Sequence, residues 1–352
     1  MQTVLAFKMK GNPVSCEIFG HGRINSTFII STDSGRQYVL QMINRNVFKQ
    51  PDKLMDNTAA VTEYLRKHSD GKYTTLRYMQ DNETGKFYHI DKSGEYWRLY
   101  EYVPGIGMDV MECDEDFYQC ALGFGWFQNM LSDFPASTLH ETIPNFHNTP
   151  DRYKKMKQSI AADIKGRVAG VQEELSYLLA KEWDAGTIHR ALENGEIPLR
   201  VTHNDTKINN MLINPQTHKA VCVLDLDTVM PGSSLYDFGD AIRFGTATGG
   251  EDTVDPATMQ CDLHLFEVYT RGWLESLPSL SEKEIKLLPY GAWIMTLELA
   301  IRFLTDYLDG DIYFRVNDPE HNLRRARNQL YLAMDIEKKL PQMHQIVEKL
   351  RG

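Results

Sequence analysis

The chain has 352 residues, of which 42% are hydrophobic and 24% charged, an ordinary globular balance able to bury one large core or two smaller ones. Its formal net charge of -10 argues against a nucleic acid or an anionic membrane surface as the main partner, while leaving room for a local phosphate site. Cys16, Cys113, Cys120, Cys222 and Cys261 are scattered, odd in number and in no CxxC pair, which argues against a disulfide framework or a zinc site.

The first residues, Met1 to Phe7, lack the apolar stretch of a signal peptide, and no run of about 18 uninterrupted apolar residues is present. A soluble, reduced, cytoplasmic protein is expected. Nothing in the sequence indicates its oligomeric state.

From about Val14 to Val103 the chain reads as short strands and turns. Cys16 to Phe19 leads into Gly20-His21-Gly22, and Thr27 to Ile30 is β-branched and apolar before the turn at Asp33-Ser34-Gly35. Gln37 to Gln41 alternates as a third strand. Lys53 to Lys67 has helical spacing, with Glu63 on it. Lys86 to Ile90 and Tyr96 to Tyr102 flank a turn at Asp91 to Gly94. After Pro104-Gly105 the pattern becomes helical: Phe117, Cys120, Ala121, Phe124, Phe127 and Met130 share one face. Asp151 to Ala185 reads as interrupted helix. Leu199 to Thr202 and Ala220 to Leu224 are brief strands, and helices are expected at Leu263 to Leu277, Glu282 to Leu308 and Asn322 to Leu350. Two lobes follow, residues 1–102 and 103–352, with a cleft between them.

His203-Asn204-Asp205-Thr206-Lys207-Ile208-Asn209-Asn210 follows the Leu199 to Thr202 strand. A polar Asn/Asp turn would look similar. The pattern nevertheless supplies what phosphoryl transfer needs: a carboxylate to orient and deprotonate a hydroxyl (Asp205), a cation for the γ-phosphate (Lys207) and an amide oxygen for a metal (Asn210). His203 reads as an anchor of the loop. A buried strand then delivers Asp225 and Asp227, carboxylates of the kind that hold Mg²⁺ beside a nucleotide; Asp225 is the expected ligand and Asp227 its helper. A literal Asp237-Phe238-Gly239 also occurs. No apolar strand precedes it, since Pro231 to Ser234 reads as a turn, so Asp237 and Asp240 are assigned to the start of a helix.

On the N-terminal side, Gly20 and Gly22 could admit phosphates, with Arg23 and Asn25 beside them. Where a kinase strand offers a lysine, this chain has Gln41; Arg23 or Lys207 would have to supply the charge. Glu101, Tyr102 and Val103 would form the hinge that reads adenine.

His203 to Asn210 followed by Val223 to Asp227 resembles the aminoglycoside phosphotransferase and choline kinase superfamily. The stretches Arg200 to Lys207, Asp225 to Gly232, Phe238 to Gly245, Arg302 to Leu304, Asp306 to Leu308, Gly310 to Phe314 and Pro319 to Leu323, with Gly20-His21-Gly22, Asn25 and Tyr38 to Gln41, are more closely similar to the bacterial N-acetylhexosamine 1-kinases. That resemblance implies an α+β, protein-kinase-like bilobal fold, with a small β-rich N-terminal lobe and a larger mainly helical C-terminal lobe. It implies ATP and Mg²⁺ as nucleotide and metal, and a small-molecule sugar as partner. Asp205 would be the base, with Asn210 and Asp225 on the metal. Thr228, Arg302 and Tyr313 would line the sugar pocket, with Arg243 a further candidate, and Gln41 would replace the lysine as it does in that group.

Overall fold

The computed structural model describes residues 2–20, 24–108 and 111–351. Its N-terminal part is an antiparallel sheet. Strand β1 (Pro13–Ile18) pairs with β2 (Ser26–Thr32), β2 with β3 (Gln37–Met42), and after helix α1 (Pro51–His68) come β4 (His89–Ile90) and β5 (Tyr96–Glu101), in the order β1-β2-β3-β5-β4. The expected strand at Lys86 to Ile90 is reduced to two residues, because Asp81 folds the segment before it into a turn: its Oδ1 accepts the Glu83 and Thr84 N–H groups at 3.0 and 2.7 Å. Val4, Phe7, Ile30, Tyr38, Leu40 and Leu99 form a small core on one face of this sheet.

Helix α1 belongs to the larger core instead. Its apolar stripe Leu54, Met55, Val61 and Leu65 is buried, and its polar residues reach the neighbouring segment. Asn57 Nδ2 donates to the Val229 carbonyl at 3.0 Å and to that of His140 at 2.8 Å. The helix thus fixes the segment after Asp225 against the sheet lobe.

The larger part is mainly helical. The short strand β6 (Ile106–Gly107) leads to α2 (Asp114–Met130), α3 (Thr149–Ala162), α4 (Gln172–Ala180), α5 (Glu182–Ala185) and α6 (Thr187–Glu193). Four short strands then carry the loops of interest: β7 (Arg200–Thr202), β8 (Met211–Ile213), β9 (Ala220–Val223) and β10 (Met230–Gly232). β8 pairs with β6 and β9, and β10 with β7, all antiparallel. The expected turn at Pro231 to Ser234 is therefore partly a strand. Pro231 is tolerated there because β10 has one strand partner, β7, and its other edge needs no N–H.

Helices α7 (Ser234–Gly245), α8 (Leu263–Ser276), α9 (Glu282–Asp309) and α10 (His321–Arg351) complete the fold. Helix α9 begins with a capping box between Ser281 and Glu284 and ends at Gly310, whose φ of 94° suits a residue without Cβ. It is long and apolar enough to cross a membrane by composition, but 78% of that stretch is buried inside the protein; it is the central core helix. Gly239 meets Gly291 of α9 so closely that a Cβ on Gly239 would collide with the Gly291 backbone. This close approach accounts for the glycine of the Asp-Phe-Gly triplet: it is a packing contact between α7 and α9. The whole is an α+β bilobal arrangement, a small antiparallel sheet lobe over a larger helical one.

Candidate active site

The octet leaves β7 and is held from below. Asn204 adopts a left-handed backbone, φ 64°, a conformation that asparagine tolerates better than most residues. Buried Asp237 clamps the turn: its carboxylate accepts the His203 N–H at 2.8 Å, the Asn204 N–H at 2.7 Å and the Gln128 side-chain amide, while its carbonyl accepts the Thr206 hydroxyl. His203 is buried, edge-on to Phe124 and Phe127, with Nε2 at 2.7 Å from the Leu224 carbonyl. It ties the loop to the strand that carries Asp225. The Thr228 hydroxyl donates to the His203 carbonyl at 2.7 Å, and the Thr228 carbonyl accepts from Asn204 Nδ2 at 2.8 Å.

Above this support the loop presents its charged groups. Lys207 Nζ lies 3.0 Å from Asp205 Oδ1, and Asn210 Nδ2 donates to Asp205 Oδ2 at 3.0 Å and to its carbonyl at 2.8 Å. Burial works against the Lys207 ammonium, but the carboxylates of Asp205 and Asp240 hold it above its ordinary range. With Asn210 Nδ2 committed to Asp205, its Oδ1 remains as an acceptor for a cation.

Asp225 follows β9 with a left-handed backbone, φ 54°. Its side chain reaches solvent, while the protein packed around it strips water from its other sides. That enclosure, and then the like charges of Asp227 and Asp205, push its carboxyl up to about 7. The Asp205 carboxylate, the Asn210 amide oxygen and an under-neutralised Asp225 suit a hard divalent cation bound through oxygen, so Asn210 and Asp225 fit Mg²⁺.

Asp227 behaves differently. One oxygen pairs with Arg98 Nη1 and the other accepts from Asn25 Nδ2 at 2.7 Å. Expected as a metal helper, it is already neutralised from within the chain. Arg98 stands opposite Gln41 in the β3–β5 register, and its Nε donates to Gln41 Oε1 at 2.9 Å. Gln41 Nε2 in turn reaches Thr27 Oγ1 at 3.1 Å. The cation beside position 41 is therefore Arg98, one strand over and already spent on Asp227, and Gln41 is the neutral partner that orients it. Sequence reasoning missed Arg98, whose strand identifies it only once its register is known.

The phosphotransferase enzyme family matches residues 15–273. The chain belongs to that family. Solved structures of the same fold include an aminoglycoside phosphotransferase from Alicyclobacillus acidocaldarius subsp. acidocaldarius DSM 446 (14% identity, TM-score 0.65, 99% of this chain and 96% of that one). They also include a microcompartment-associated aminopropanol kinase (18% identity, TM-score 0.64, 97% of each chain) and an amicoumacin kinase in complex with AMP-PNP and Ca²⁺ (11% identity, TM-score 0.63, 94% and 91%).

The other residues singled out in this phosphotransferase are placed as follows. Gly22 and Arg23 lie outside the described residues. Gly20 is exposed with φ 72° and open space where a Cβ would stand. Asn25 is bound at both ends, since Oδ1 also accepts the Asn44 N–H at 3.0 Å; it bridges the lobes rather than standing free for phosphate. At the hinge, the Glu101 and Tyr102 N–H groups already bond to the Arg77 and Gln37 carbonyls, and the Glu101 carboxylate pairs with Arg36 and Arg77, each at 3.4 Å. Among the described residues, Val103 N–H has no bond within the chain and is the one free backbone donor of the three. Glu63 pairs with Arg66 on the solvated face of α1.

Arg243 is buried, and its guanidinium is filled by Asp240 at 2.8 Å and Glu251 at 3.0 Å; expected in the sugar pocket, it is a structural pair bordering a cavity of about 270 Å³ beneath Ile208. Arg302 lies between two rings, 5.5 Å from Phe146 and 5.6 Å from Phe314. Tyr313 is exposed and packs edge-on to Phe314 at 4.8 Å. Phe146 continues to His147, whose Nε2 lies 3.5 Å from the Asn204 carbonyl. Arg302 and Tyr313 thus share a cluster that abuts the loop carrying Asp205. Half-buried Arg152, which sequence reasoning also missed, lies close enough that the Arg302 charge adds to burial in lowering its affinity for a proton.

Proposed function

We propose that the protein is an ATP-dependent kinase that phosphorylates the anomeric hydroxyl of an N-acetylhexosamine, N-acetylglucosamine or N-acetylgalactosamine, to the sugar 1-phosphate. The observation that carries the kinase reading is the Asp205 carboxylate, bonded to Lys207 and Asn210 and facing the open Asp225. The sheet lobe (residues 1–102) would hold the nucleotide and the helical lobe (residues 103–352) the acceptor. Use of a nucleotide with a divalent metal is consistent with the AMP-PNP and Ca²⁺ held by the amicoumacin kinase of the same fold.

In this mechanism Asp205 accepts a hydrogen bond from the acceptor hydroxyl and takes its proton as the oxygen attacks the γ-phosphorus. The new O–P bond forms as the β,γ-bridging P–O bond breaks, and the electron pair leaves on ADP. Lys207 meets the charge on the transferring group. Mg²⁺, held by Asn210 and Asp225, would neutralise phosphate charge. Asp237, Thr228 and His203 keep the loop in register, and Arg98 holds Asp227 without drawing on the cation.

A neutral sugar suits the neighbouring cluster better than an amino alcohol does. Arg152 and Arg302 bring two positive charges beside the loop, while of the buried carboxylates nearby Glu298 is engaged by His147 at 3.0 Å and Thr149 at 2.8 Å, and Asp306 by the Tyr313 and Phe314 N–H groups at 2.8 and 2.9 Å. A cationic acceptor such as choline or aminopropanol would meet repulsion there. The long sequence likeness through Arg302 and Tyr313 supports the same acceptor. Another small alcohol remains the second reading within the family, and a non-catalytic nucleotide-binding module is disfavoured by the complete set Asp205, Lys207, Asn210 and Asp225. ADP release with ATP and Mg²⁺ across N-acetylhexosamines and amino alcohols tests this. Response to the sugars is expected; response to amino alcohols alone would overturn the sugar assignment, and binding of ATP with no turnover on any acceptor would favour the module.

A further inference from the structure

Away from the loop that carries Asp205, three side chains of metal-ligating type converge from two elements. Cys113 is the N-cap of α2 and Asp116 stands in its first turn; His218 sits in the turn between β8 and β9, with φ 54°. His218 Nδ1 lies 2.7 Å from Asp116 Oδ1 and 4.0 Å from Cys113 Sγ, and the three ligand atoms are all within 4.8 Å of one another. Asp116 is oriented for this by its other oxygen, which accepts the N–H groups of Glu112 and Cys113, each at 3.1 Å.

We propose that Cys113, Asp116 and His218 form a Zn²⁺-type site, with three protein ligands and a fourth position open to solvent. Thiolate, imidazole and carboxylate together are the donor set of zinc rather than of Mg²⁺ or Ca²⁺. Bonds of about 2.0–2.3 Å in a tetrahedron place ligand atoms roughly 3.3–3.6 Å apart, and the distances of 2.7 and 4.0 Å bracket that range. A small rotation of the His218 ring, away from Asp116 and toward Cys113, satisfies both. Cys113 and His218 are solvent-accessible, which provides an entry path. Glu112 and Glu115 add negative charge around the site; the helix N-terminus opposes a cation but favours the anionic ligands. On binding, the thiol proton and any proton on Nδ1 pass to solvent.

The site would staple the tip of the β8–β9 hairpin to α2. The same hairpin carries Asn210 at the start of β8 and Asp225 just after β9, with the Leu224 N–H bonded to the Asn210 carbonyl at 2.8 Å. The metal would therefore fix the hairpin from the end opposite the catalytic residues. Cysteine spacing does not signal such a site, because one ligand is a histidine 102 positions from Asp116.

Co²⁺ titration of the full chain distinguishes this site from an oxygen-ligated one, since a thiolate ligand gives a charge-transfer band in the near ultraviolet. One Co²⁺ per chain with that band is expected, displaced by Zn²⁺, lost in Cys113→Ser and His218→Ala, and kept in Cys16→Ser. Asp116 is left intact because it caps the helix. Zn²⁺ should also raise the thermal midpoint of the wild type but not of Cys113→Ser. A wild type without the band at saturating Co²⁺, or a band unchanged in Cys113→Ser or in His218→Ala, would overturn the proposal. None of these readouts depends on the acceptor or on turnover.

Discussion

Arg98 on β5 and Asp227 beyond β9 form a buried ion pair across 129 positions of sequence. It joins the sheet lobe to the segment that carries Asp225, and Asn25 reinforces it from the other side. Removing one member of a buried pair leaves an uncompensated charge, at a cost of ~3–5 kcal/mol. Arg98→Met is expected to lower unfolding stability by that order in chemical denaturation. Arg98→Lys should recover part of it, since an ammonium lacks the planar fork that reaches both Asp227 and Gln41. Wild-type stability in Arg98→Met would show that the pair does not hold the lobes.

Asp225 sets a pH dependence. Its carboxyl is raised from an ordinary 3.8 to about 7, so between about pH 4 and 7 the folded chain holds a proton that the unfolded chain has released. The contribution of this group to stability is greatest below that window, falls as pH rises through it, and is level above. In metal-free protein, Asp225→Asn should therefore be more stable than wild type, with the gap opening from about pH 4 to 7. Mg²⁺ needs the ionised form, so its half-saturation should rise about tenfold from pH 8 to 6. A stability gap that narrows with rising pH would contradict the assignment.

Asp237 is a clamp rather than a ligand. Asp237→Asn would turn an amide toward the His203 and Asn204 N–H groups, and a buried unmet donor costs ~1–3 kcal/mol. The expected result is a lower unfolding midpoint with an unchanged Mg²⁺ requirement. A raised Mg²⁺ requirement at unchanged stability would make Asp237 the metal carboxylate instead.

Arg302, held between Phe146 and Phe314, is expected to contact the acceptor. Arg302→Met should raise acceptor KM about tenfold or more, as a lost charged hydrogen bond does, and leave ATP KM unchanged. Steady-state kinetics with both substrates varied separates this from a structural role, which would move both constants or lower the unfolding midpoint.

Much of this arrangement was legible because it is local. His203 to Asn210 lies within eight positions, and Asp225 ends a strand readable from its own apolar run. The long helices declared themselves by their apolar spacing, although α2 is buried on nearly every side rather than on the one face from Phe117 to Met130. What escaped was created by pairing. Arg98 gains its role only through the β3–β5 register, and the bond of Asn25 to Asp227 spans 202 positions. Strand β10 was hidden by Pro231-Gly232, residues that usually signal a turn. Arg243 looked available to a ligand because its three-residue spacing from Asp240 does not reveal that Glu251 closes on it from beyond the helix.

The central claim is that Asp205 is the base of an ATP-dependent kinase acting on an N-acetylhexosamine. Turnover of Asp205→Asn with ATP, Mg²⁺ and N-acetylglucosamine or N-acetylgalactosamine, measured as ADP release beside the wild type, tests it most directly. The predicted result is a wild type active on at least one of these sugars and a variant whose kcat is lower by the ~10²–10⁴-fold that a lost general base costs, with the fold retained. Near-normal turnover by a folded Asp205→Asn would contradict it.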